Sequence, residues 1–109
     1  MTDLSRLKAL KSIADLLQER DLAALSRAQG ARSRTEGLLR ALDQDFTATD
    51  LPAAAEAQVV ERFGLWSANR RMALNQRYAR ETAAWLVAKE EAQRAFGRAE
   101  VLGRLLEKK

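Results

Sequence analysis

Few side chains in this sequence have the type and spacing needed for catalysis or metal binding. The chain has no cysteine and no histidine, which excludes a disulfide framework, the usual zinc sites and a Ser-His or Cys-His catalytic pair. Two pairs of carboxylates, Glu90 with Glu91 and Asp43 with Asp45, are spaced for acid/base or metal chemistry. They fall on a helix surface and in a turn, without a pocket to exclude water. We therefore predict a protein that is not an enzyme and binds no cofactor or metal.

A cluster of arginines is the second group that could carry chemistry. Its members are Arg70, Arg71, Arg77 and Arg80. Trp66 and Tyr78 are close in sequence, and arginines with aromatic rings can bind nucleic acid. Helical spacing, however, places both rings on a buried seam while much of the arginine charge points away. We interpret the cluster as a solvated helix face beside core aromatics. A protein surface that accepts the cluster is the main functional alternative, and nucleic acid is a less favoured one.

The elements that position these residues are predicted to be two long helices. Alanine, leucine, arginine and glutamate are strong helix formers, and there is one proline in the chain. Apolar residues recur at alternating spacings of three and four, which is typical of a coiled coil. In the second half this stripe comprises Val59, Phe63, Trp66, Leu74, Tyr78, Trp85, Ala88, Ala92, Ala95, Ala99, Leu102 and Leu106. In the first half a heptad stripe with the same spacing comprises Leu7, Leu10, Ala14, Leu17, Asp21, Ala24, Ala28, Ala31, Thr35, Leu38 and Leu42, of which Asp21 and Thr35 are polar.

A single break separates the two stripes. Thr2 or Asp3 can cap the first helix, Asp50 can cap the second, and Pro52 suits a first helical turn. We predict helix 1 over about 3–44, a turn over about 45–50 and helix 2 over about 51–107. Because a short loop joins antiparallel neighbours, the predicted fold is all-α: one domain, residues 1–109, forming an antiparallel coiled-coil hairpin.

Folding the chain tightly at this break predicts a register. Thr35 should face Trp66, and Leu10 should face Ala92. The last ten or so residues should then project beyond the N-terminus. These unpaired residues would form a docking end for an acidic partner surface, with Arg98, Val101, Leu102, Arg104, Leu105 and Leu106 as its contact residues. The alternatives are that Leu4 and Leu7 cover this end while it frays, or that the turn, with Phe46, Leu51 and Phe63, binds the partner.

The sequence also resembles a known family. The opening residues Leu4–Ile13, the ending residues Arg94–Leu106, the Arg/Ala-rich long helices and the single short turn are similar to the FliJ-like and YscO-like proteins of flagellar and type III export machines. The resemblance implies a coiled coil like the rotary stalk of ATP synthase. Its ends would lie in the hexameric ring of the export ATPase, and its body would contact the export gate.

The expected location and partners follow from the same reasoning. No apolar run approaches the roughly 20 residues of a membrane span, so we expect a cytoplasmic protein without membrane insertion, peripheral to the inner membrane if the resemblance holds. Protein partners are expected, with a second copy of the chain as one alternative. The competing functional hypothesis is a generic coiled-coil scaffold or a nucleic-acid-binding helical hairpin.

Overall fold

The protein forms two α-helices and confirms the predicted all-α hairpin. The computed structural model describes residues 2–43 and 52–108. Helix α1 spans Asp3–Ala41 and helix α2 spans Ala53–Glu107, and the described residues contain no strand. The predicted turn at about 45–50, the Asp50 cap and the candidate contacts Phe46 and Leu51 lie outside the described residues. Neither described helix contains an apolar stretch that could cross a membrane.

The helix ends follow local sequence signals. Thr2 caps α1, because its hydroxyl accepts a hydrogen bond from the Ser5 amide at 3.1 Å and its carbonyl accepts one from Arg6. Pro52 directly precedes α2, and its carbonyl accepts a 2.8 Å bond from the Glu56 amide. The chain winds more tightly just after the C-terminal end of α1. The Leu42 and Asp43 amides donate hydrogen bonds to carbonyls three residues earlier, as in a 3₁₀ turn.

The chain divides into two compact units. The first, here called the terminal unit, contains residues Met1–Gly30 and Ala83–Lys109. The second, here called the central unit, contains residues Ala31–Thr82. In each unit a segment of α1 packs antiparallel against a segment of α2.

Small side chains form the seam of the terminal unit. The buried apolar residues here are Ala14, Ala88, Ala92, Ala95 and Ala99. Their spacing on α2 alternates between three and four, as the stripe predicts. Alanine lets the two backbones approach closely, but its small side chain covers only a narrow strip of apolar surface. Larger apolar side chains of this unit therefore lie at the edges of the seam.

The seam of the central unit is built differently. Leu74 and Thr35 are its fully buried side chains, with 2% and 0% of their surfaces exposed. Thr35 donates a hydrogen bond to the carboxylate of Glu81 on the other helix. At the end of α1, Arg71 bonds Asp43 at 2.7 Å. Directional polar contacts therefore align the two helices here.

The predicted register is wrong. Thr35 contacts Glu81 rather than Trp66, whose side chain is 55% exposed. The prediction folded the chain tightly at Pro52, whereas the structure brings Asp43 against Arg71, so the first turns of α2 extend past the end of α1. Trp66 lies in this part of α2, which accounts for its exposure.

The predicted overhang at the C-terminus is wrong for the same reason. In the terminal unit the Lys11 side chain lies 3.6 Å from where a side chain on Gly103 would begin. The residues after Gly103 therefore run beside the start of α1 instead of projecting beyond it. Leu102 and Leu106 are accordingly half-buried.

Candidate protein-binding surface

An apolar groove lies between α1 and α2 on the terminal unit. Its volume is about 820 Å³. Both helices contribute to its walls, which comprise Leu10, Ile13, Ala14, Leu17, Arg94, Ala95, Gly97, Arg98, Val101 and Leu102. The groove exists because the alanine seam brings the helices together while the larger residues stand on either side of it. We call this feature the 13/101 groove, after two of its most exposed apolar residues.

Three of the six predicted C-terminal contact residues line this groove. Arg98, Val101 and Leu102 form its α2 wall, where they face leucines of α1. The other three predicted contacts lie nearby on the same helix. Arg104 bonds Glu100 at 2.7 Å, Leu105 is exposed and Leu106 is half-buried. The structure thus gathers half of the predicted docking residues into a groove wall instead of an unpaired end.

The α1 wall of the groove was not among the predicted site residues. Ile13 is 54% exposed and Leu10 is 52% exposed, although both belong to the apolar pattern of α1. The signal for their exposure was the width of that pattern: Ile13 lies beside the heptad stripe, where a single partner helix cannot cover it.

A second apolar surface flanks the terminal seam. Two shallower grooves of about 370 and 330 Å³ share Leu22, Leu25 and Lys89, with Trp85 in one and Phe96 in the other. The Lys89 ammonium lies 5.2 Å from the Trp85 ring centre, a cation–π contact. We call this feature the 22/96 surface. Heptad spacing puts it on the other side of the seam from the 13/101 groove.

The central unit contains a layer of polar contacts in its seam. The Glu81 carboxylate accepts a hydrogen bond from the Thr35 hydroxyl and lies 3.5 Å from the Arg77 guanidinium. The next turn of α2 carries Tyr78, whose phenol donates a 2.5 Å bond to Glu36. A half-buried carboxylate with partners on both helices is satisfied only when the helices keep this alignment.

Tyr78 is held from two sides. The hydrogen bond to Glu36 raises the pKa of the phenol above its usual value of 10.0, and burial acts in the same direction. The Arg32 guanidinium opposes this shift; it lies 5.0 Å from the ring centre and donates a 3.1 Å bond to the Thr82 hydroxyl. The phenol therefore stays protonated and acts as a cross-helix donor at neutral pH.

The arginine cluster does not converge on a single site. Arg71 pairs with Asp43 at 2.7 Å, and Arg77 pairs with Glu81. Arg70 and Arg80 are exposed. Tyr78 contacts Glu36 and Arg32, so its ring is part of the helix pairing. Trp66 packs at 5.8 Å from Phe63 on the same helix. The described arrangement is that of structural ion pairs beside a solvated face.

Among the described residues, no group of three or more acidic side chains could hold a metal ion. The candidate site consists of the two apolar surfaces of the terminal unit. Comparison with protein-family models, with curated proteins and with solved structures found no match to this chain.

Proposed function

We propose that the protein is a non-enzymatic coiled-coil stalk or adaptor of a bacterial flagellar or type III export apparatus, and that it engages the export ATPase ring. The observation that carries the adaptor role is the exposed apolar surface of the terminal unit. Its large exposed residues include Leu10, Ile13, Leu16, Leu22, Leu86, Val87, Phe96, Val101 and Leu105.

The exposed surface of the terminal unit is more apolar than a hairpin without a binding partner requires. Exposed large hydrophobic residues that gather on one part of a protein typically mark an interaction site. Burying each such side chain against a partner is worth roughly 1.5–3 kcal/mol. The assignment to export machinery rests on the family resemblance of the sequence and on the antiparallel hairpin fold. We place the protein in the cytoplasm, at the inner face of the membrane where such an apparatus assembles.

The test is direct binding to the export ATPase of the same organism. Both proteins would be purified, mixed and analysed by size-exclusion chromatography with light scattering, and the ATP hydrolysis rate would be followed in parallel. We expect a stable complex containing the ATPase hexamer and a changed hydrolysis rate. A matched control is a chain with Ile13→Asp, Phe96→Asp and Val101→Asp, which removes apolar surface without touching the seam. No complex with the unaltered chain would refute the assignment.

The alternative is a helical hairpin that scaffolds another assembly or binds nucleic acid. The pairing of Arg71 with Asp43 and of Arg77 with Glu81 weighs against nucleic acid, because those charges are already engaged. Nucleic-acid binding would show a log affinity that falls steeply with log salt concentration. That result, together with no binding to the ATPase, would favour the alternative.

A further inference from the structure

We propose that the 13/101 groove binds a single amphipathic helix of a partner protein, with apolar residues on the inserted face and carboxylates along one edge. The bound helix would complete a three-helix bundle with the terminal segments of α1 and α2. This inference rests on the proposed adaptor function and specifies the kind of partner surface that the adaptor recognises.

The shape of the groove favours a helix. Its floor contains the nearly buried alanines Ala14 and Ala95, and its sides contain Ile13 and Val101, which are more than half exposed. Gly97 belongs to the α2 wall, and apart from its chain neighbours and the nearby backbone of its own helix, no described atom lies within 4 Å of where a side chain would begin. The wall is therefore low at this point, so a partner helix can approach closely. Insertion of an apolar ridge between two helices is a common mode of peptide recognition.

The charge of the groove specifies the acidic edge. Arg94 and Arg98 are the charged residues of its lining, and both belong to α2. Arg94 has a distant partner in Glu90, at 3.7 Å, with about 70% of both side chains exposed. Arg98 directs its Nε towards the Arg94 carbonyl at 3.5 Å. Such exposed contacts contribute little energy, so carboxylates of a partner can replace them.

The same charges argue against a second copy of the chain as the occupant. A two-fold symmetric dimer places the same patch of each subunit against the other. The lining contains two arginines and no carboxylate, so such a dimer would bring four arginines into one interface with no carboxylate of the lining to pair with them, and like charges at an interface are unfavourable. A flat anionic membrane would satisfy the arginines, but it would not reach the floor of the groove at Ala14 and Ala95.

The test uses two synthetic peptides and the full chain. Both peptides are helical and carry leucines at i, i+3, i+4 and i+7. The first has glutamates along one edge of the leucine stripe, and the second has lysines at the same positions. Binding would be measured by fluorescence anisotropy of the labelled peptides. We expect the acidic peptide to bind at least tenfold more tightly, with affinity that weakens as salt is added.

Variants locate the binding site. Ile13→Asp and Val101→Asp should each weaken acidic-peptide binding at least tenfold, while the matched control Leu65→Asp, at an exposed position of α2 in the central unit, should leave it unchanged. The double variant Arg94→Glu, Arg98→Glu should reverse the preference towards the basic peptide. Circular dichroism would verify that each variant remains helical, as expected because all of these side chains are exposed.

Several results would overturn the inference: no binding of either peptide, equal binding of both, or equal weakening by Leu65→Asp. Concentration-dependent dimerisation abolished by Ile13→Asp would identify a second copy as the occupant. Binding to phosphatidylglycerol vesicles without peptide binding would identify a membrane. If the chain forms the ATPase complex but does not distinguish the two peptides, the groove assignment alone is refuted. Peptide selectivity without an ATPase complex would instead refute the export assignment.

Discussion

The two units of this protein use the same helices in different ways. The terminal unit packs alanines in its seam and displays large apolar residues at the edges of that seam. The central unit packs Leu74 and Thr35, and its cross-helix contacts are directional: Thr35 with Glu81, Glu36 with Tyr78 and Asp43 with Arg71. The ion pairs Lys11–Asp15 and Glu100–Arg104 of the terminal unit each join residues of one helix.

The difference separates alignment from binding. Apart from Asp21, whose carboxylate pairs with Arg20 on the same helix, the buried residues of the terminal seam are alanines. Such a seam packs almost equally well if one helix slides along the other by a heptad. A hydrogen bond between a buried hydroxyl and a carboxylate is lost in any other register, and leaving such groups unpaired is costly. We infer that the central unit sets the alignment of the hairpin, whereas the terminal unit supplies its binding surface.

The largest expected effect is on the central unit. Leu74→Ala removes a large apolar side chain that is 2% exposed, and should lower the free energy of unfolding by about 2–5 kcal/mol. Urea denaturation followed by circular dichroism would measure it. The matched control is Leu65→Ala, on the same helix and 63% exposed, which should change stability by less than about 0.5 kcal/mol. Equal effects of the two substitutions would show that Leu74 does not anchor this unit.

The terminal unit should be sensitive to an increase in side-chain size. Ala95 is 1% exposed at the seam, so Ala95→Leu should separate the helices and destabilise the protein by about 1–3 kcal/mol. Ala84→Leu, an exposed position in the same unit and on the same helix, is the control. Thermal unfolding would distinguish the two variants. A stabilised Ala95→Leu variant would mean that the alanine seam is not closely packed.

A smaller effect is expected from the polar layer. Thr35→Val keeps the shape of the side chain but removes the hydroxyl from which Glu81 accepts a hydrogen bond. It should cost about 1 kcal/mol, and the loss should largely disappear in a Glu81→Leu background, where no acceptor oxygen is left. A double-mutant cycle with urea denaturation measures this coupling. Fully additive losses would indicate that the two side chains do not interact.

The smallest effect concerns pH. The Tyr78 pKa is raised above 10.0 in the folded protein, mainly by the bond to Glu36. The stabilisation from this bond is therefore complete below pH 10 and is lost as the pH rises through the higher, folded-state pKa. Tyr78 is the one tyrosine of the chain, so absorbance titration reports its pKa directly. Glu36→Ala removes the acceptor and should shift this pKa back down towards 10; an unchanged pKa would contradict the assigned cause.

Sequence periodicity predicts which residues face the partner helix far better than which residue each one faces. The stripe positions Ala14, Thr35, Leu74 and Ala95 are all buried as predicted. The pairing of Thr35 with Trp66 was wrong, because a heptad pattern repeats and is compatible with more than one register. The register depends on contacts such as Thr35 with Glu81, which a single sequence does not reveal.

The candidate site was predictable to a similar degree. The apolar C-terminal residues Val101 and Leu102 were recognised, but they were assigned to an unpaired end because the register was displaced. The opposite wall, with Leu10 and Ile13, belongs to a different helix, and only the correct register brings it beside Val101. A groove formed between two elements cannot be read from either element alone.

The central claim is that α1 and α2 pair in the register that places Thr35 against Glu81, and cysteine cross-linking tests this register most directly. The chain contains no cysteine, so two double variants can be compared without background: Thr35→Cys with Glu81→Cys, and Thr35→Cys with Trp66→Cys. Under mild oxidation the first pair should form an intramolecular disulfide, detected by a shift in gel mobility and by peptide mass, while the second should stay reduced. Cross-linking of the second pair in place of the first would contradict the account.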